Sequence, residues 1–402
     1  MKKFILFFCS FIFSVSTFAQ WQSTNGPGSG RRVTALDIKD SLLFAGTDSI
    51  GIYIYNSGTW SPSNTGLTNL NGISSIVHND TIFAGVYNSL SGPSVFYSAN
   101  NGTSWNSSPL NFVFNFTLAL RPNLLLAGTW YGVSYSTNSG ASWGGSIAGL
   151  PGNASVDALV FDGPKIFGGV TSSSTGGVGV FYSNDNGLNW NPFNTGLGTS
   201  TPVSALRVIG SDIYAGTNLS GVYKSTTSAA NWNQANTNLS NLTIKSFYSI
   251  GNTLFAGTSN GIFQSDNGAQ SWTDISTGLP PQSVIYSIAS DSNNIYIGTD
   301  SAVWIRPVSE LINSIGKTYA ENSIFVYPSV TNKTITVKDL QQKTTAQKEI
   351  TISDICGRIM LVKTLNASVS TFDIENFTKG IYLLSIKDNG NILLSTRIVK
   401  VD

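Results

Sequence analysis

Charge is scarce in this sequence. Asp, Glu, Lys and Arg together supply 11% of 402 residues, against about 25% in an ordinary soluble domain. The formal net charge is +1, which leaves no electrostatic reason to bind nucleic acid or an anionic lipid surface. One histidine, His78, excludes a histidine-rich metal centre, so no metal or cofactor is expected. Between Gln20 and Pro307 there is no glutamate, and the arginines are only Arg31, Arg32, Arg121, Arg207 and Arg306. The two cysteines are Cys9 and Cys356. Cys9 lies in a segment expected to be removed, which excludes an intramolecular disulfide. Asn, Ser, Thr and Gly supply the polarity instead, as suits a β-rich surface with tight turns.

The first residues read "MKKFILFFCSFIFSVSTFAQ": two lysines, an apolar run, then small residues before Gln20. This is the three-part pattern of a secretory signal peptide over 1–19, cleaved after Ala19. The run is too short and wrongly flanked for a membrane span, and no later segment is long and apolar enough to be one.

A phrase recurs along the chain as "LLFAGT", "TIFAGV", "LLLAGT", "KIFGGV", "DIYAGT", "TLFAGT" and "NIYIGT". Its glycines (Gly46, Gly85, Gly128, Gly169, Gly216, Gly257, Gly298) are spaced by 39 to 47 residues. A period near 40 signals a repeat architecture. Each unit holds an alternating strand, the "FAGT" strand, a strand such as "GVFYS", and a Trp-bearing strand. Four antiparallel strands repeated around a circle make the blade of a β-propeller. The last unit stops at Pro307 without its Trp strand, while "QWQSTNG" at the other end mimics one. The expectation is an all-β, seven-bladed propeller over 20–307, with Trp21–Asn25 closing the last blade and burying an exposed strand edge.

Between the third and fourth strands an octet returns: "SANNGTSW" (Ser98, Asn100, Gly102, Trp105), "STNSGASW" (Ser136, Asn138, Gly140, Trp143) and "SNDNGLNW" (Ser183, Asp185, Gly187, Trp190). Worn copies end at Trp232 and Trp272, and a shortened one at Trp60. Asn stands in for Asp, so the position needs an acceptor oxygen and not a charge, which argues for a fold element. A ring of small residues on the first strands (Ala35, Ser75, Thr117, Ala158, Ala205, Ser246, Ser287) is read in the same way, as crowding at the axis. The pattern S-x-D-x-G-x-x-W resembles the Asp-box, or BNR repeat, of sialidases, sortilin-type receptors, xyloglucan-cleaving glycosidases and photosystem assembly factors. That resemblance implies that the box is structural and lies opposite the functional face. A sialidase would also need an arginine triad, a Tyr–Glu pair and an Arg-Ile-Pro motif, which this chain lacks.

Most aspartates of the repeat region are expected in solvated turns of the lower face. Asp48 and Asp300 instead follow "GT" in blades that would be neighbours, and are the weak candidates for ligand contact or acid–base catalysis. Trp130, Tyr131 and Tyr87 lie in loops expected to ring the upper face, where aromatic rings suit stacking on a sugar or anchoring a partner protein. His78 is read as a turn residue.

After Pro307 a polar linker over 308–323, with one short helical turn, leads to alternating strands over 324–402, expected as a small antiparallel, Ig-like β-sandwich. This tail resembles the type A sorting domain of the type IX secretion system of Bacteroidetes. The matching residues are Tyr327-Pro328, Asp354 with Gly357-Arg358, Lys379-Gly380-Ile381-Tyr382 and the basic end "RIVKVD". Pro328-Ser329-Val330 stands where the family has Pro-Asn-Pro. The resemblance implies handling by the type IX machinery and a secreted or outer-membrane-surface destination. The expected function is a binding module for a carbohydrate or a surface protein, with no catalysis of its own. The alternative is a glycoside hydrolase using upper-face aspartates, and an assembly factor fits the secretion address poorly.

Overall fold

The computed structural model describes residues 20–28, 30–87, 92–111, 114–174, 178–198, 201–312, 324–327, 330–339, 348–354, 358–365, 369–388 and 391–401. The segment 1–19 expected as a signal peptide, Pro328, Gly357 and most of the expected linker over 308–323 lie outside them. Contacts divide the chain into two compact units, one ending at Leu311 and the other running from Ile312.

The first unit is a seven-bladed propeller of four-stranded antiparallel sheets. The third blade is typical: Asn115–Arg121, Leu124–Thr129, Gly132–Ser136 and Gly144–Ser146 pair in sequence order. The innermost strands touch in succession: Val33–Lys39, Ile73–His78, Asn115–Arg121, Ser155–Asp162, Val203–Ile209, Ile244–Ile250 and Ser287–Ser290, which returns to Val33–Lys39. The seventh blade is completed by Gln22–Ser23, antiparallel to Val303–Pro307 through Gln22↔Ile305 and Ser23↔Trp304. Antiparallel order sends the connections from first to second strand and from third to fourth strand to one end, here called the lower face. The remaining connections form the upper face.

Aromatic side chains lock neighbouring blades together. Trp21, Trp105, Trp190, Trp232 and Trp272 are no more than 3% exposed. Six indole N–H groups reach the residue three places beyond the preceding blade's Trp. Trp21 donates to the Ile275 carbonyl at 2.8 Å, Trp105 to that of Ser63 at 2.8 Å, and Trp232 to that of Phe193 at 2.7 Å. Trp272 donates to the Ala235 carbonyl, and Trp60 and Trp143 to the hydroxyls of Thr24 and Ser108. Trp190 departs from this and donates to Gly187 of its own octet.

The octets share one turn. The Ser183 hydroxyl donates to Asp185 at 2.7 Å and accepts the Gly187 N–H at 2.9 Å, while Asp185 accepts the Asn189 N–H. Ser98, Asn100 and Gly102 repeat these bonds, as do Ser136, Asn138 and Gly140, and also Ser265, Asn267 and Ala269. The residue at the Gly position has positive φ in all four, including Ala269 at 64°. A left-handed Ala costs roughly 1–2 kcal/mol, so that octet keeps its hydrogen bonds at a backbone cost.

On six inner strands a β-bulge falls just before the small residue, as between Val33 and Ala35 and between Val156 and Ala158. One place earlier the blades carry Val33, Ile73, Val156, Val203, Ile244 and Ile285, all fully buried. The third blade carries Asn115 there, equally buried. Its Oδ1 accepts from Ser74, but its side-chain NH2 has no partner among the described residues.

The second unit is a sandwich. Strands Ile324–Tyr327, Thr334–Asp339 and Val369–Asp373 form one sheet. Val330–Thr331, Asn391–Lys400, Gly380–Asp388, Lys348–Asp354 and Ile359–Leu365 form the other. It is antiparallel except where Val330–Thr331 runs parallel to Val399–Lys400. Both sheets fill one core, with Ile335, Val337 and Phe372 from the first and Ile350, Leu384 and Ile398 from the second.

Three outcomes test this construction. Trp21→Ala removes a buried side chain and a link between blades, so thermal unfolding should show a loss of about 3–5 kcal/mol; an unchanged melting temperature would mean the closing strand bears no load. Hydrogen bonds from Asn189 and Ser183 hold the Asp185 carboxyl down at about 2, from an ordinary 3.8. Its contribution is therefore complete above pH 3.8 and lost as pH falls toward 2. Asp185→Asn should preserve stability at neutral pH and flatten the acid limb of a melting-temperature profile. Finally, Asn115→Val removes an unsatisfied buried amide and should raise stability by about 1–2 kcal/mol, read from the urea midpoint at constant slope.

Candidate functional site

The upper mouth of the axis is where the repeat breaks. Aligned on the small residues, the bulge positions hold Thr34, Ser74, Phe116, Asp157, Ser204, Lys245 and Tyr286. Three short hydroxyls tie blades together: Thr34 donates to the Ile73 carbonyl at 2.5 Å, Ser204 to that of Ile244 at 3.0 Å, and Ser74 to Asn115. The other four residues have no counterpart elsewhere in the ring. A bulge inserts one residue and re-aims its side chain, which brings Asp157 to line an axial cavity of about 250 Å³, where Tyr286, just ahead of the seventh inner strand, joins it. Hydroxyls of Ser75, Thr117, Ser246 and Ser287 also line it, with Leu36, Leu159, Leu206 and Phe247 among its apolar groups.

Asp157 corrects the expectation that such aspartates sit in lower-face turns. It accepts from Ser155 at 2.8 Å and from the Thr171 hydroxyl. Burial pushes its carboxyl pKa up against those hydrogen bonds. Asp37 is a second correction: it lies on an inner strand and meets His78 Nδ1 at 2.6 Å. His78 is thus an inner-strand partner and not a turn residue, with its pKa raised mainly by that hydrogen bond.

Asp48 and Asp300 come into one electrostatic neighbourhood around Tyr286. Burial raises the phenol pKa, the Arg32 guanidinium opposes this, and the carboxylates of Asp300 and Asp48 reinforce it. Arg32 lies 5.9 Å from the Tyr286 ring centroid. Asp48 accepts from the Ser49 hydroxyl, its backbone N–H donates to Arg32 and its carbonyl accepts from Gly72. Asp300 is exposed.

Tyr87 and Trp130 are joined by two rings that the loop reading missed. Tyr87 stacks tilted on Phe114 at 4.9 Å and lies 5.6 Å from Phe116, while Trp130 lies 5.1 Å from Phe114 and 6.4 Å from Phe116. Tyr87 is 41% exposed and Trp130 is 42% exposed. Tyr131, beside Trp130, is also exposed but has no stacking partner among the described residues. The signal was available in "FVFNF", where Phe114, Asn115 and Phe116 replace the usual Val/Ile-and-hydroxyl pattern. Among the described residues no cluster of three His, Cys, Asp or Glu side chains is placed to hold a metal, and no helix is long and apolar enough to cross a membrane.

In the second unit Tyr327 ends the strand Ile324–Tyr327. Asp354 accepts the Arg358 backbone N–H at 2.9 Å and its guanidinium at 3.0 Å, pinning the hairpin. Gly380 opens the strand in which the buried Tyr382 donates its hydroxyl to the Thr378 carbonyl.

Residues 325–400 match the secretion system C-terminal sorting domain family. No curated protein matches the chain in sequence. The fold is similar to the extracellular domain of the hybrid two-component system BT4673 from B. thetaiotaomicron (17% identity, TM-score 0.60, 80% of this chain and 46% of that one). It is also similar to the corresponding domain of BT3049 from the same organism (15%, 0.59, 95% and 57%). The chain thus spans about half the length of each of these. A third similar structure is YCF48 bound to D1 peptide (16%, 0.57, 73% and 98%). These likenesses concern the fold alone. With the sorting domain matched and the blades in place, the chain is a cargo of type IX secretion, a secreted protein of the cell surface whose body is a β-propeller.

Proposed function

We propose that the protein is a non-catalytic binding module whose upper face takes a carbohydrate or a surface protein. The four-ring cluster of Tyr87, Phe114, Phe116 and Trp130 carries this reading, because it leaves two large rings about two-fifths exposed on the upper face. Stacked and partly open rings suit the apolar face of a sugar or a protein anchor. Tyr131 extends the platform and Asp157 supplies a polar contact in the cavity. Under this reading the octets are Asp-boxes, structural elements of the opposite face. Residues 1–19 are the export signal, 20–307 the binding body, 308–323 the linker and 324–402 the sorting domain. Tyr327, Pro328, Asp354, Gly357, Gly380 and Tyr382 are its motif residues.

A second reading has one observation behind it: Asp48, Asp300 and Arg32 all act electrostatically on Tyr286. Two carboxylates flanking a glycosidic bond are the usual hydrolytic arrangement. A glycan array probed with the full chain separates the two. Binding without product release, weakened about tenfold or more in Trp130→Ala at unchanged melting temperature, supports the platform. Sugar release that disappears in Asp48→Asn/Asp300→Asn would transfer the assignment to a hydrolase. Binding that ignores Trp130→Ala and Tyr87→Ala would remove the platform from the account.

A further inference from the structure

The fifth blade's octet, Ser225–Trp232, has given up the shared turn. Thr227 and Ala229 occupy the Asp and Gly positions, and the Ser225 hydroxyl now donates to the Ala229 carbonyl and accepts the Asn231 N–H at 2.8 Å. A second loss falls at the same junction. Three places beyond their tryptophans, Ser63, Ser108 and Ser146 each send a hydroxyl to a carbonyl of the next blade's octet. Phe193 instead fills that place with a ring 6.2 Å from Trp232. Between blades five and six the residue is Ala235, which does neither.

A cavity of about 510 Å³ opens there, lined by both altered segments. That is within the roughly 300–1,000 Å³ of small-molecule sites. Asp212 and Lys224 stand in it as an ion pair at 2.8 Å, each about one-third exposed. The carboxamides of Asn231, Asn233, Gln234 and Gln270 surround them, over an apolar floor that includes Ala235 and Ala269. Gly268 makes room for the ammonium, since a Cβ there would lie 3.0 Å from Lys224 Nζ.

The lining carries no net charge, because each ion neutralises the other, so a charged ligand would have to break the pair. Carboxamides, a carboxylate and an ammonium offer donors and acceptors side by side, which matches vicinal hydroxyls. The alanines suit the C–H faces of a ring. The geometry points to a second binding site: a pocket for a neutral saccharide on the lower face between blades five and six, formed where the structural turn has been lost. It is independent of the upper-face platform.

The test titrates the full chain with glucose, galactose, mannose, N-acetylglucosamine and their disaccharides by calorimetry and saturation-transfer NMR. At least one of these binds the unaltered protein. Ala235→Phe gives the junction the ring that Phe193 provides next door; it weakens binding about tenfold or more while leaving the melting temperature equal or higher. Lys224→Met and Asn231→Ala, which change only partly exposed side chains, also weaken it, and they serve as the readout if Ala235→Phe does not fold. The titrations are repeated on the Trp130→Ala protein, which removes the upper-face contribution, and the binding that remains there is the binding the pocket variants weaken. The proposal is overturned if none of these sugars binds the Trp130→Ala protein, or if the binding that remains there survives the pocket variants.

Discussion

The indole N–H that crosses from one blade to the next, at six of the seven junctions, sets the geometry of the ring. A four-stranded sheet has no reason of its own to stand at a fixed angle to its neighbour. A buried tryptophan donating to the preceding blade's outer strand supplies one, because the hydrogen bond is directional and the ring fills the gap between sheets. Repetition around the circle makes the small residues at the axis necessary, since seven inner strands converge there. The closing segment lies on this circuit twice. Trp21 donates to the sixth blade, and Thr24 accepts from Trp60 of the first. Two residues of strand pairing are therefore reinforced on both flanks.

A frame so constrained at its rim concentrates variation elsewhere. The octet, the tryptophan and the residue three places beyond it are coupled through hydrogen bonds, so a change at one disturbs the others. Where the fifth blade lost its turn, the bridging side chain was lost as well and space appeared. Just before the small residues, short hydroxyls tie neighbouring blades together in three cases, two through a backbone carbonyl and one through the Asn115 side chain. The other blades are free there to carry Phe116, Asp157, Lys245 and Tyr286, residues with chemistry the scaffold does not need.

The blade count, the strand order and the closure by the N-terminal segment were legible because they repeat. A period near forty with Gly and Trp in fixed phase admits few other folds. The candidate site was only partly legible. Trp130, Tyr131 and Tyr87 stand out as aromatics in loops, but Phe114 and Phe116 look like ordinary strand residues. A bulge shifts side-chain parity by one residue, so strict alternation assigns Asp157 to the wrong surface. Asp37 and His78 were hidden differently: they belong to adjacent blades 41 residues apart, and their meeting depends on the angle between blades. The parallel pairing of Val330–Thr331 with Val399–Lys400 has no local signal, because it joins the two ends of the sandwich.

The division of labour between the two units follows from where the ring closes. Every strand of the seven blades lies between Gln22 and Pro307, so no blade borrows a strand from the sorting domain. The sandwich likewise fills its core from its own two sheets. Each unit therefore completes its sheets with its own strands. For a secreted protein this separates the address from the cargo: processing anywhere after Leu311 leaves all seven blades whole, whereas the loss of five or six residues after Gln20 opens the ring. The N-terminal strand, short as it is, is thus the more vulnerable boundary of the propeller.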